Sequence, residues 1–177
     1  DVCQVNNEIN NKNISVFCQY DGGSTDNFIL SSLANNLELS CQDVKLNLTR
    51  VGLPENIFHT KEYYLNLVDK FGKVYTINAY KVRSLSKIEK LPFSVYKKCA
   101  EIFNVGTCEI NQNHGEVGIL LGANSLGCFP SIVKVCEDLA LAETKLGQKK
   151  YIIFEILREI DSLVKNFTML RYTSLQT

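Results

Sequence analysis

Apolar and polar residues alternate along much of this chain, and the alternation predicts strands. Residues 13–20 place Ile14, Val16 and Cys18 on one side and are followed directly by Asp21. Val44, Leu46 and Leu48 alternate with Lys45, Asn47 and Thr49, and a second strand is expected to return over Phe58 to Leu67. Between them, Val51-Gly52-Leu53-Pro54-Glu55-Asn56 reads as a turn. Asp69-Lys70-Phe71-Gly72-Lys73 reads as a hairpin turn with Gly72 in the left-handed position, leading into a strand over residues 74–80. Val117 to Leu121 is a short apolar strand stopped by Gly122, with a turn or helix start after it. Leu139 to Glu143 and Lys149 to Phe154 are further strands around a turn at Gly147.

Helical spacing is rarer. Phe28, Ile29, Leu33 and Leu37 share one helical face, so a helix is expected from Asp26 to Leu39, with Ser24, Thr25 and Asp26 as capping side chains. Residues 84–93 form a charged connector ending at Pro92, and a short helix follows over Ser94 to Phe103. Asn104 to Gly115 is polar and loop-like. Ile156, Ile160, Leu163 and Val164 give residues 155–177 the pattern of a C-terminal helical extension. Residues 1–13, Asn-rich and polar, read as a flexible arm. Many short strands with few helices define a mainly β domain over residues 14–154.

At 177 residues the chain is long enough for one domain with a sizeable core. Nineteen basic and nineteen acidic residues cancel, which leaves no net electrostatic footprint for nucleic acid or an anionic membrane. No apolar run approaches the roughly 20 residues that span a bilayer. The chain opens on Asp1 rather than Met, with no signal-peptide pattern, and reads as a piece cut from a longer product. Seven cysteines are scattered without Cys-x-x-Cys spacing, and the two histidines, His59 and His114, are isolated, so no metal set is apparent. Free core thiols in a reducing compartment, the cytoplasm first, are the simpler reading of an odd cysteine count, with Cys18 packed on the strand before Asp21. Three sequons, at Asn13, Asn47 and Asn166, matter only if the chain is secreted.

The candidate chemistry lies at Tyr20-Asp21-Gly22-Gly23-Ser24. One carboxylate at a strand end, followed by two glycines, can be approached closely by another backbone. Asp-Gly is also a common turn dipeptide, so the local pattern alone is that of a turn.

Taken in order, the motifs resemble a retropepsin-like aspartic peptidase, most closely the peptidase domain of Pao/BEL-type retrotransposons. That family has Asp-Ser/Thr-Gly-Ser at a strand end, then Ser-Phe-Ile and Leu-Ala-x-x-Leu. This chain has Asp21-Gly22-Gly23-Ser24, Asn27-Phe28-Ile29 and Leu33-Ala34-Asn35-Asn36-Leu37. The family's flap glycine falls at Val51-Gly52-Leu53, its Leu-Ile-Gly-Ala-Asp at Leu120-Leu121-Gly122-Ala123-Asn124, and its Thr-Lys-Phe-Gly-Trp at Thr144-Lys145-Leu146-Gly147-Gln148.

The resemblance implies a closed acid-protease barrel and a homodimer with one catalytic acid, Asp21, from each subunit. Two carboxylates about 3 Å apart share one proton, the charged one activating a water and the protonated one polarising the peptide carbonyl. It further implies that Gly23, Ser24, Val51, Gly52, Leu53, Leu121 and Gly122 bind an extended peptide or polyprotein segment, with no metal, cofactor, nucleic acid or membrane required. The chain departs from the family at Gly22, where relatives carry a Ser or Thr whose hydroxyl braces the two active-site loops across the dimer. The alternative is therefore a catalytically silent domain of the same fold, kept for peptide binding or dimerisation.

Overall fold

Alternation fixes the first two strands, β1 (Val2–Asn7) and β2 (Lys12–Tyr20), which pair antiparallel with Cys3 opposite Val16 and Val5 opposite Ile14. Cys3, Val5, Val16 and Cys18 point inward and are buried, while Gln4 points out and donates to the Ser15 hydroxyl. The computed structural model describes residues 2–7, 12–48, 56–136 and 139–154. The expected turn at Val51–Leu53 and the expected helix over residues 155–177 lie outside them.

The flexible arm expected over residues 1–13 is corrected by β1. Polar composition masks a two-residue period in which Cys3, Val5 and Asn7 face inward, Asn7 donating to the Leu37 carbonyl at 2.7 Å. The free-thiol reading is corrected at the same place, because Cys3 and Cys18 form a disulfide between neighbouring strands. Cys41, Cys99, Cys108, Cys128 and Cys136 are free.

Further along come β3 (Phe28–Leu30), α1 (Ser31–Leu37), β4 (Cys41–Leu48), β5 (Asn56–Val68) and β6 (Val74–Val82). A minor two-stranded patch, β7 (Lys87–Ile88) with β8 (Gly115–Glu116), flanks α2 (Phe93–Phe103), and β9 (Ile119–Leu121) returns to the main sheet. The sheet runs β1-β2-β9-β3-β6-β5 and closes where Val5 of β1 pairs with Leu67 of β5. A six-stranded closed barrel results, with β4 added outside on β5. β2 with β9 and β3 with β6 are parallel, and the other pairings in the barrel are antiparallel. Closure leaves few edges and encloses Ile29, Leu37, Leu65, Leu67, Ile119 and Leu121, all fully or almost fully buried. Each such side chain contributes roughly 1.5–3 kcal/mol.

The helix expected from Asp26 starts later. β3 pairs with β9 on one side and β6 on the other, and Phe28, Ile29 and Leu30 are all buried; a strand covered on both faces shows a continuous apolar run, not an alternation. α1 begins at Ser31 and stops at Glu38, which takes the left-handed conformation (φ 53°). Ser24 and Asp26 are used in the preceding loop and cap nothing. The hairpin between β5 and β6 turns on Gly72 (φ 83°), with Asp69 Oδ1 accepting the amides of Phe71 and Lys73, each at 2.8 Å.

A separate three-stranded antiparallel sheet follows, made of β10 (Ser131–Cys136), β11 (Leu139–Glu143) and β12 (Lys150–Phe154). β10 was not anticipated. Its side chains are exposed at Ile132, Val133 and Val135, so no inward–outward period marks it.

Candidate active site

Asp21 leaves the end of β2 under direct backbone control. Tyr20 pairs with Leu121 in the parallel β2–β9 ladder, and the Asp21 amide continues that ladder by donating to the Leu121 carbonyl at 2.9 Å. The chain then turns. The Gly23 amide donates to Asp21 Oδ1 at 2.9 Å and the Ser24 amide to the Asp21 carbonyl at 3.2 Å, an Asx-type turn that orients the carboxylate. Gly22 and Gly23 form the exposed tip, and Asp21 itself stays partly open to solvent. A Cβ on Gly23 would stand 3.2 Å from Asp21 Oδ1, but one on Gly22 would meet only Phe129, at an ordinary 3.9 Å.

A second segment clamps this loop from behind. Beyond β9, Ala123 donates to the Ser24 carbonyl at 2.8 Å and Asn124 to the Thr25 carbonyl at 3.0 Å. Gly122 crosses so closely that a Cβ would stand 2.8 Å from the Ser24 oxygen and closer still to that of Asp26. Only glycine fits there. The Gly122 amide and the Ser125 hydroxyl both donate to Asn27 Oδ1, at 2.9 and 3.0 Å, and Asn27 Nδ2 donates to the Asn78 carbonyl at 2.9 Å. Asn27 is 2% exposed, so this satisfied carboxamide bolts three segments together in the interior.

The polar connection continues away from the loop. The Asn78 carboxamide donates to Glu62 Oε1 at 2.7 Å, and Gln42 on β4 donates to Glu62 Oε2. Hydrogen bonds from Asn78 and then Gln42 hold the Glu62 carboxyl below the ordinary glutamate range despite its burial. A cavity of about 250 Å³ opens beside this chain, lined by Asn27, Tyr64, Asn78, Asn124 and Ser125 among others. Behind Asp21, the Tyr20 ring packs edge-on against Phe129 (5.5 Å) and Tyr151 (6.5 Å). Burial pushes both phenols well above the ordinary tyrosine value, so they stay neutral.

Of the residues singled out in the sequence, Asp21, Gly23, Ser24, Leu121 and Gly122 come together. Their roles differ. The Ser24 hydroxyl donates within the loop to the Asp26 carbonyl at 2.9 Å. Leu121 is fully buried and meets Asp21 through its carbonyl, and Gly122 is a buried crossing point. Val51, Gly52 and Leu53 lie outside the described residues. Asn27 and Ser125 were not foreseen as site residues. The available signal was an asparagine directly before the apolar triplet Phe28–Leu30, where a lone amide must be satisfied.

Asp21 and Asp26 are both partly exposed in this loop, and Asp21 is the one held on an internally hydrogen-bonded turn at the strand end. Asp26, the next acid, accepts from Asn124 Nδ2 at 3.2 Å. Among the described residues no group of three His, Cys, Asp or Glu side chains could hold a metal ion. Comparison with protein-family models, curated proteins and solved structures finds no match to this chain.

Proposed function

We propose that the chain is a retropepsin-like aspartic endopeptidase that acts as a homodimer, each subunit supplying Asp21. One observation carries the reading. A single acid stands at a strand end on an exposed Gly-Gly tip, and a strand-Gly segment from a remote part of a closed six-stranded barrel clamps its loop. A lone carboxylate lacks the paired acid that general acid–base cleavage of a peptide needs, and a two-fold axis through the tip supplies it from a second copy. The pair shares a proton, activates water and polarises the scissile carbonyl. An extended peptide bound by strand-like hydrogen bonds is the matching substrate.

Gly22 favours a second reading, a silent domain that binds peptide or dimerises, because the tip carries no hydroxyl to brace a partner loop. Incubation with a peptide library at mildly acid pH tests the proposal. Cleavage that is lost in Asp21→Asn and blocked by a pepstatin-type inhibitor is expected. Cleavage that survives both, or its absence from the parent and from Gly22→Thr alike, overturns the enzyme reading.

A further inference from the structure

The balanced charge total conceals a local excess. β5 and β6 pair only as far as Glu62 with Tyr80, and beyond that point a cleft of about 610 Å³ opens between the β4–β5 ribbon and the end of β6. Its lining carries Lys45, Lys61, Lys81, Arg83 and His59 against one carboxylate, Asp43.

Strand register explains the clustering. Tyr63 and Leu65 on β5, and Ile77 and Ala79 on β6, form the inward, buried face. His59 and Lys61 continue that parity past the end of the core, as do Lys81 and Arg83. Asp43 pairs with Lys61, and Lys45 with His59, across β4–β5. Across β4–β5 these paired residues stand roughly 5 Å apart, and same-face residues roughly 7 Å apart along each strand, while Lys81 and Arg83 face them across the cleft from the end of β6. Glu62, whose hydrogen bonds lead towards the Asp21 loop, has the opposite parity. The charged residues of the cleft thus share the sheet face opposite to that of Glu62.

The cations are poorly compensated. Lys61 has Asp43 at 3.6 Å, whereas Lys45, Lys81 and Arg83 make no ion pair among the described residues. The hydroxyls at the seam are already engaged, Thr60 donating to the Lys81 carbonyl at 2.8 Å and Ser31 to the Val82 carbonyl at 2.7 Å. They tie β5 and the start of α1 to the end of β6 beside the cleft. Apart from the His59 imidazole, no aromatic ring among the described residues lines it, so these residues offer no stacking platform for bases.

We propose that this cleft binds a phosphate-bearing polyanion through its charge, without reading bases. The assignment is independent of the role of Asp21. Phosphates could come from a nucleic-acid backbone or from a small polyphosphate, and the experiment separates them. Binding of the full chain to a fluorescein-labelled single-stranded oligothymidylate is followed by anisotropy over a salt series, with tripolyphosphate and poly-glutamate as competitors. Affinity should fall with salt at a log–log slope of about −2 to −3, as three or four neutralised phosphates require. Lys81→Glu with Arg83→Glu should weaken it by roughly tenfold or more and flatten the slope. Lys45→Ser, on a different strand, should do the same in part, which guards against a folding defect in the double variant. Direct binding of tripolyphosphate that depends on the same residues, without oligonucleotide binding, assigns the small source. Binding of neither probe, unchanged affinity in folded variants, or stronger competition by poly-glutamate than by tripolyphosphate overturns the proposal.

Discussion

Asn27 and Gly122, 95 residues apart in sequence, are joined side chain to backbone, the Gly122 amide donating to Asn27 Oδ1 at 2.9 Å. The pair locks the loop of Asp21 to the strand behind it. Asn27→Ala would leave the Gly122 amide, the Ser125 hydroxyl and the Asn78 carbonyl short of a buried partner, at about 1–3 kcal/mol for each group left unsatisfied. With three groups affected and about 2–4 °C per kcal/mol for a chain of this size, a fall in thermal midpoint of at least about 6 °C is expected by calorimetry. Any cleavage activity should fall further than stability alone explains, since Asp21 loses its support.

Two of the glycines around Asp21 should behave oppositely. Gly122→Ala places a methyl against the Ser24 and Asp26 carbonyls and should cost at least about 1–3 kcal/mol. A Cβ at exposed Gly22 meets only Phe129, at van der Waals distance, so Gly22→Thr should alter stability by no more than about 0.5 kcal/mol. Denaturant midpoints of the two variants check the contrast. Under the proposed dimer, Gly22→Thr should also tighten self-association, read by sedimentation at several concentrations.

Acid stability follows from Glu62, Asp69 and Glu109. Asn78 and Gln42 hold the Glu62 carboxyl low, and the Lys150 and Gly106 donors do so for Glu109. For Asp69, desolvation works the other way, but the Lys73 and Phe71 amides and the Tyr75 hydroxyl prevail. Because all three are lowered in the fold, their contribution is complete above the unfolded values of about 4 and is lost as pH falls through the folded ones. The thermal midpoint should therefore stay level from neutral pH to about 5 and drop below about 4. Glu62→Gln should lower the midpoint at neutral pH and make the acid drop shallower.

How much of this was written in the sequence depends on how each residue is covered. Strands with one wet face, such as that carrying Val44 and Leu46, and the Gly72 turn could be read from alternation and turn chemistry. β3 could not, because Phe28, Ile29 and Leu30 are covered on both faces and their run matches a helix equally well. β1 was hidden by the asparagines around Cys3 and Val5, and β10 by outward-pointing Ile132, Val133 and Val135. Asp21, its glycines and Leu121–Gly122 were legible as a motif. The Asn27 bolt was not, since its partners lie up to 98 residues away and no local pattern announces them.

The central claim, two Asp21 carboxylates from two chains acting as one site, is tested most directly by mixing subunits. Wild-type chain and Asp21→Asn are refolded together in varied ratios, and peptide cleavage is measured at about pH 5, where a shared-proton dyad is competent. Random pairing of subunits that both need their acid predicts activity falling with the square of the wild-type fraction, to about a quarter at equal mixing. A linear fall, to about a half, would mean that each chain cleaves with its own acid alone and would contradict the account.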